Sequence, residues 1–125
     1  MPTRERVQQL VDAVIGGDHA SAIAQFYADH ASMQENAEPP RHGLASLVER
    51  ERKVMAMMTS ITSHAPDTVV IDGDRVAIHW VFDFVHKDGR TRRVDEVALQ
   101  EWDGDKIVRE RFFYDAASTA WQPAR

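Results

Sequence analysis

The chain has 125 residues, a formal net charge of −5 and no cysteine. This length fits a single domain over residues 1–125 that buries roughly two thirds of its unfolded surface. The absence of cysteine excludes disulfides and thiolate chemistry, and the acidic balance argues against nucleic acid as a partner. The charged start MPTRERVQQL has no hydrophobic signal segment, and no stretch approaches a membrane span, so we expect a cytoplasmic protein.

The first half of the chain predicts three helices and a short strand. A first helix is predicted between the N-cap Thr3 and the glycines at 16–17, because apolar residues recur there at helical spacing. Asp18 can cap a second, short helix. Alternation over residues 31–36 predicts a strand, and a third helix is predicted from about 44 to 58, after two prolines that force an extended loop.

The second half of the chain predicts a β-meander. Its apolar residues alternate, and three Asp-Gly pairs interrupt it at 72–73, 88–89 and 103–104. Asp-Gly between alternating runs is a strong hairpin signal, and it implies four antiparallel strands at roughly 61–71, 75–87, 90–102 and 106–115. The predicted fold class is therefore α+β, with the helices packed against one face of the meander.

The segment IHWVFDFVHKDG, residues 78–89, leaves open which strand face is buried. One face carries Ile78, Trp80, Phe82 and Phe84, and the other carries His79, Val81, Asp83 and Val85. If the turn at 88–89 is a two-residue loop, the mixed polar and apolar face is shared with the next strand by Val94, Glu96, Ala98 and Gln100.

Three segments resemble a known family. These are VDAVIGGDHASAIAQFYADHASM near the start, RHG at 41–43, and WDGDKIVRERFFYD in the last hairpin. They are similar to the nuclear transport factor 2-like superfamily, in its branch of SnoaL-like polyketide cyclases and ketosteroid isomerases. The resemblance covers nearly the whole chain. It implies a cone-shaped α+β barrel in which a strongly curved, mostly antiparallel sheet encloses the helices and a pocket.

The resemblance also orients the ambiguous strand. It implies that the mixed face points into the pocket and that the aromatic face, with Trp80, Phe82 and Phe84, points outward. An exposed aromatic patch requires a partner, so we expect a homodimer through this face. The reverse orientation is the alternative.

Glu35 is the first candidate catalytic residue, because the resemblance places it where the isomerases carry their carboxylate base. Beside Met33 and the third-helix methionines Met55 and Met58, its charged form would be desolvated and its pKa raised. The alternative is a rim glutamate. The isomerase tyrosine and protonated acid fall at Leu10 and Ala98, so true ketosteroid isomerase activity is not expected.

The remaining candidates lie on the meander. His79, Asp83 and Glu96 could supply acid or position a substrate, and at least one pocket carboxyl should titrate above its reference pKa. Val81, Gln100, Glu110 and Tyr114 complete the predicted substrate site. Glu110 faces inward if the last turn has three residues, whereas a two-residue turn would bring Arg109 and Arg111 inward. No metal or cofactor is predicted.

The sequence thus predicts a small SnoaL-like enzyme that binds a hydrophobic carbonyl compound. It would move protons without a cofactor, as an isomerase, cyclase or dehydratase. The alternative is a non-catalytic ligand-binding or dimerisation domain of the same fold. A water-activating site like that of an epoxide hydrolase is a third possibility, but its Asp-Arg-Asp arrangement is not evident.

Overall fold

The computed structural model describes residues 1–124. Its helices are α1 (Arg4–Ile15), α2 (His19–Phe26) and α3 (Leu44–Ala56), followed near the end by a short 3-10 helix (Ala116–Thr119). Its strands are β1 (Tyr27–Glu35), β2 (Arg41–His42), β3 (Met58–Ser63), β4 (Val69–Asp72), β5 (Arg75–His86), β6 (Thr91–Asp103) and β7 (Lys106–Phe113). No helix in this part of the chain is both long and apolar enough to span a bilayer.

The helix ends follow the predicted capping residues. The Thr3 side chain accepts a hydrogen bond from the Arg6 N–H at 3.0 Å, and α1 ends at Gly16. Asp18 caps α2 by accepting from the Ser21 N–H at 3.0 Å. These caps satisfy backbone N–H groups that have no partner within the helix, so they fix where each helix begins.

Three helices pack against a curled, unclosed mixed sheet, which confirms the predicted cone-shaped α+β fold. The strand order is β2-β1-β7-β6-β5-β3, with β4 also paired to β5. Strand β1 runs parallel to β7, and the other pairs are antiparallel. The core lies between the helices and the concave side of the sheet, where Val7, Phe26, Leu47, Ile78 and Ile107 are among the buried residues.

The predicted strand at 61–71 is two strands. Strands β3 and β4 both pair with β5, and residues 64–68 between them form no strand. Pro66 lies in this break and has no N–H to donate to a sheet.

The turn between β5 and β6 differs from the predicted one by one residue. His86 donates its N–H to the Arg90 carbonyl at 2.8 Å, and Val85 pairs with Thr91, so residues 87–89 form a three-residue loop. Gly89 adopts φ 92°, which is the left-handed conformation that such a loop requires and that glycine permits. The extra residue shifts the register of the whole hairpin.

This shift reverses the predicted orientation of β5. Phe82 pairs with Val94 and Trp80 with Glu96, so the aromatic face lies inside with the inward face of β6. Trp80, Phe82 and Phe84 are 4%, 8% and 8% exposed. The predicted inward position of His79, Val81, Asp83 and Val85 is wrong, and so is a dimer interface formed by the aromatic face.

The polar residues of the mixed face are held by ion pairs on the outer surface. Asp83 receives two hydrogen bonds from Arg93, at 2.8 and 2.9 Å, and one contact from His64 at 2.6 Å. Arg93 is the main reason that the pKa of Asp83 falls to about 2. His79 lies between Asp95 and Asp67, at 2.6 and 2.8 Å, and these hydrogen bonds raise its pKa.

In the last hairpin, a β-bulge rather than the length of the loop gives Glu110 its inward orientation. Its loop has two residues, because Asp103 pairs with Lys106, but the register changes between Glu101 and Trp102. Arg109 then pairs with Glu101 and Ile107 with Trp102, which leaves an extra residue on β7 as a β-bulge. Glu110 therefore faces inward as predicted, although the loop has the two residues that were expected to bring Arg109 and Arg111 inward.

The inverted orientation can be tested by paired truncations on neighbouring strands. Ile78 is fully buried, whereas Leu99, on the outer face, is 37% exposed. We expect Ile78→Ala to lower the free energy of unfolding by about 2–5 kcal/mol and Leu99→Ala by less than about 1 kcal/mol. Urea denaturation would measure both, at a concentration where the midpoint no longer depends on protein concentration. Equal losses would contradict the assignment of the two faces.

Candidate functional site

A cavity of about 350 Å³ lies between the helices and the concave side of the sheet. This volume is within the usual range for small-molecule sites. Helices α1–α3 and the aromatic face of β5 supply its apolar lining, which includes Leu10, Val14, Ile23, Leu47, Val54, Trp80, Phe82 and Phe84. Its polar lining includes His19, Tyr27, Glu35, Arg41, Glu51, Arg92, Glu96, Gln100, Glu110 and Tyr114.

Glu110 forms the centre of a buried hydrogen-bonded chain. One of its oxygens accepts a short hydrogen bond from the Tyr27 hydroxyl, and the other accepts from Gln100 Nε2 at 2.7 Å. Gln100 Oε1 in turn accepts from the Trp102 indole N–H at 3.0 Å. Burial raises the pKa of Glu110 to about 7, while the two donors partly offset this rise. The carboxyl therefore changes charge near neutral pH.

Tyr27 is affected by the same contact. Burial, followed by the nearby negative charge of Glu110, raises the pKa of this tyrosine well above its usual range. Its hydroxyl consequently stays protonated and donates to Glu110.

Glu96 is the second buried carboxyl of the cavity. It lies on β6 opposite Trp80, and its Oε2 is buried with no hydrogen-bond partner in the described part of the chain. Burial is the main cause that raises its pKa well above the ordinary value, and Glu110 adds to the effect. This environment favours the protonated form of the carboxyl, which can donate a hydrogen bond to a ligand.

Glu35 lines the same cavity within an ion pair. Its Oε2 lies 3.0 Å from Arg41 Nη2, and the two side chains are 24% and 27% exposed. Strand β1 presents Glu35, and β2 pairs with β1 to place Arg41 beside it.

Arg92 lies on the inward face of β6, opposite Phe84. Its guanidinium carbon is 5.2 Å from the centre of the Phe84 ring and 4.5 Å from that of Trp121. The tail carries Trp121 to this position by pairing Gln122 with Thr91. Desolvation lowers the pKa of Arg92, but a guanidinium remains charged in proteins.

His19 carries a further polar contact at the cavity wall. Its Nε2 is 2.8 Å from Ser63 Oγ and its Nδ1 is 3.6 Å from Glu51 Oε1. Its ring meets the edge of Phe82 at 5.2 Å between ring centres. Ser63 is not part of the cavity lining, so this contact orients the imidazole and exposes no serine to a ligand.

The structure brings together about half of the residues predicted for the site. Those that line the cavity are Met33, Glu35, Glu96, Gln100, Glu110 and Tyr114. His79, Val81 and Asp83 lie on the outer face, while Met55 and Met58 pack in or against the core without lining the cavity. The expected rise in pKa occurs at Glu96 and Glu110, whereas the pKa of Asp83 is lowered.

Tyr27, Arg41 and Arg92 are cavity residues that the sequence analysis missed. Arg92 could have been found, because it is in phase with Val94 and Glu96 on a strand whose inward face was predicted correctly. The sequence gives no such signal for Tyr27, because its pattern predicts only that the second helix buries either Tyr27 or Phe26. Within residues 1–124, no three His, Asp or Glu side chains are grouped so that they could hold a metal ion.

The family model of the SnoaL-like domain matches residues 7–110 of the chain. The chain belongs to the SnoaL-like domain family. This confirms the resemblance drawn from the opening and closing segments. No curated protein matches the chain.

Solved structures share the fold of this SnoaL-like domain. A protein with a ketosteroid isomerase-like fold from Catenulispora acidiphila, solved with trimethylamine, has 18% identity and a TM-score of 0.77, with 94% of this chain and 90% of that chain covered. A candidate SnoaL-like polyketide cyclase from Mesorhizobium loti has 26% identity and a TM-score of 0.73, with 88% and 97% covered. A candidate polyketide cyclase from Xanthomonas campestris has 19% identity and a TM-score of 0.76, with 90% of each chain covered.

The raised pKa of Glu110 predicts a stability that depends on pH. The pKa is about 7 in the folded state against 4.5 for an ordinary glutamate, so the folded state binds this proton more tightly. The resulting stabilisation is fully present below pH 4.5 and is lost as the pH rises through 7, by an amount on the order of 3 kcal/mol. Glu110→Gln removes the titrating group while keeping partners for Tyr27 and Gln100.

Urea denaturation between pH 4 and pH 8 would compare wild type with Glu110→Gln. We expect the wild type to lose stability relative to the variant as the pH rises. Glu101→Gln, which removes a glutamate paired with Arg109 on the outer face, is the control and should not show this trend. Parallel pH profiles for wild type and Glu110→Gln would show that Glu110 titrates normally.

Proposed function

We propose that this SnoaL-like domain catalyses cofactor-free proton transfer on a small hydrophobic carbonyl compound, as an isomerase, cyclase or dehydratase. The observation that carries the proposal is the buried Glu96 carboxyl, whose Oε2 adjoins the cavity and has no hydrogen-bond partner within residues 1–124. A buried polar atom without a partner costs free energy, and a ligand that supplies the partner recovers it.

Glu96 is the proposed acid. When a proton leaves the carbon next to a carbonyl, negative charge develops on the carbonyl oxygen. A protonated carboxyl fixed in an apolar wall stabilises this charge by donating a hydrogen bond, and it does so without reorganising. Trp80, directly opposite on β5, helps to exclude water from this part of the cavity.

Glu110 is the proposed base. With a pKa near 7, it is ionised in a large fraction of molecules at neutral pH and accepts protons well under these conditions. Tyr27 and Gln100 fix the positions of its two oxygens. In the proposed step its carboxylate takes the proton from carbon, Glu96 stabilises the enolate, and Glu110 returns the proton to another carbon.

Glu35 is the base predicted from the sequence, and it remains the competing assignment. It lines the cavity, but Arg41 occupies one of its oxygens and a quarter of the side chain is open to water. Glu110 is more completely buried and has the pKa suited to the role.

Solvent-deuterium exchange into a panel of hydrophobic ketones tests the proposal. We expect Glu110→Gln and Glu96→Leu each to lower the exchange rate by ~10²-fold or more, since one removes the proton acceptor and the other the donor. In the wild type the rate should rise with pH through about 7, as Glu110 ionises.

Two further variants separate the alternatives. Glu101→Gln, on the outer face, is the control and should leave the rate unchanged. A loss with Glu35→Gln but none with Glu110→Gln would make Glu35 the base. No exchange into any ketone would favour the alternative of a non-catalytic binding domain.

The homodimer predicted from the sequence stays a prediction, and we propose a different interface for it. Val97, Leu99 and Phe113 are 41%, 37% and 40% exposed on the outer face, where Val97 and Phe113 are cross-strand neighbours. A second copy of the chain would bury this apolar patch. Sedimentation should give a dimer for the wild type and a monomer for Leu99→Glu, and a monomeric wild type at micromolar concentration would exclude the interface.

A further inference from the structure

All of the buried side-chain polar atoms that lack a partner in residues 1–124 belong to cavity residues. They are Glu96 Oε2, Arg92 Nε and Arg41 Nε. Native proteins pair nearly all such atoms, so their concentration around one cavity indicates groups arranged for a ligand. The proposed reaction uses the carboxyl and leaves the two guanidinium groups unexplained.

Arg92 differs from Arg41 in having no anionic partner among residues 1–124. Arg41 is bound to Glu35, whereas no carboxylate in the described part of the chain forms an ion pair with Arg92. The contacts of Arg92 are the aromatic faces of Phe84 and Trp121. These rings fix the plane of the guanidinium and remove water from it, and they leave its charge uncompensated at the edge of the cavity.

We propose that Arg92 is the binding site for a carboxylate group of the ligand, so that the substrates of this domain are anionic carbonyl compounds. A guanidinium donates two parallel hydrogen bonds to a carboxylate, and a partly desolvated site strengthens them. The oxo group of the same ligand then lies at Glu96.

The strand sets the spacing between the two ends of the ligand. Arg92 and Glu96 are four residues apart on the inward face of β6, which places their Cα atoms about 13 Å apart. Val94 lies between them, opposite Phe82, so the intervening wall is apolar. The ligand class is therefore an elongated keto acid with an apolar chain between its carboxylate and its oxo group.

The anion site and the proposed reaction can fail separately. The carboxylate contact rests on Arg92 alone, and only the placement of the oxo group at Glu96 rests on the proposed function. Binding measurements therefore test the anion site, and deuterium exchange tests the reaction.

Isothermal titration at fixed pH and ionic strength would use straight-chain keto acids of increasing length, each with its oxo group on the penultimate carbon, beside their methyl esters. The wild type should bind the best acid at least about tenfold more tightly than its ester, because only the acid can pair with Arg92. Arg92→Gln should weaken binding of the acid by about 10- to 100-fold and leave binding of the ester nearly unchanged.

Two variants control this measurement. Arg75→Gln removes an exposed strand arginine that does not line the cavity, and it should change neither affinity. Arg92→Lys keeps the charge but loses the paired donors, so its affinity for the acid should lie between those of wild type and Arg92→Gln. The comparison of acid with ester in the wild type needs no variant, so it remains decisive if Arg92→Gln fails to fold.

Three results would overturn the anion site. These are equal affinity of the wild type for acid and ester, no binding of any acid in the series, and a loss in Arg92→Gln that is the same for both ligands. Acids that bind through Arg92 without exchanging deuterium would uphold the site and count against the reaction. Exchange into neutral ketones with no preference for acids would support the reaction and count against the anion site.

Discussion

The pairing of β5 with β6 determines the chemistry of the cavity. The three-residue loop at 87–89 sets this pairing and places the aromatic side chains of β5 opposite the inward residues of β6. As a result, Phe84 faces Arg92, Phe82 faces Val94 and Trp80 faces Glu96. Arg92 and Glu96, the ionisable side chains of this wall, each lie beside an aromatic ring, which removes water from them and leaves their polar ends toward the cavity.

The bulge on β7 adds the remaining polar group. Without it, the two-residue loop would have turned the neighbouring arginines inward in place of Glu110. With it, Glu110 pairs with Gln100 and reaches Tyr27 at the start of β1. The hydrogen-bonded chain therefore joins β1, β6 and β7, and the bulge is what brings its central carboxyl into the cavity.

The cavity groups lower the stability of the fold that holds them. A carboxyl whose pKa is raised opposes folding at the pH where it must ionise, and each unpaired buried atom adds a desolvation penalty. The offset comes from the apolar core between the helices and the sheet, where Val7, Phe26, Ile78 and Ile107 are at most 1% exposed. Functional sites in proteins are typically destabilising in this way, and the apolar core elsewhere in the fold offsets their cost.

The sequence predicted the elements well because their signals are local. A cap such as Thr3 or Asp18 depends only on its own turn, and alternation along β6 groups Glu96 and Gln100 on one face, which the resemblance then oriented inward. The orientation of β5 relative to β6 depends on whether the loop between them has two or three residues. Asp-Gly occurs in loops of both lengths, so the sequence did not decide between them. That single residue moved His79 and Asp83 out of the site and the aromatic residues into it.

The charges of the cavity link the proposed anion site at Arg92 to the proposed acid, Glu96. The Glu35–Arg41 pair is internally compensated and burial favours the protonated form of Glu96, so Arg92 is the uncompensated charge on the inward face of β6. A carboxylate bound at Arg92 would neutralise this cation and bring a negative charge into the cavity. Added negative charge in the cavity disfavours the ionised form of a buried carboxyl, as Glu110 already does for Glu96, so the ligand itself would help to keep Glu96 protonated. The anionic end of the substrate would thus support the acid that acts on its other end.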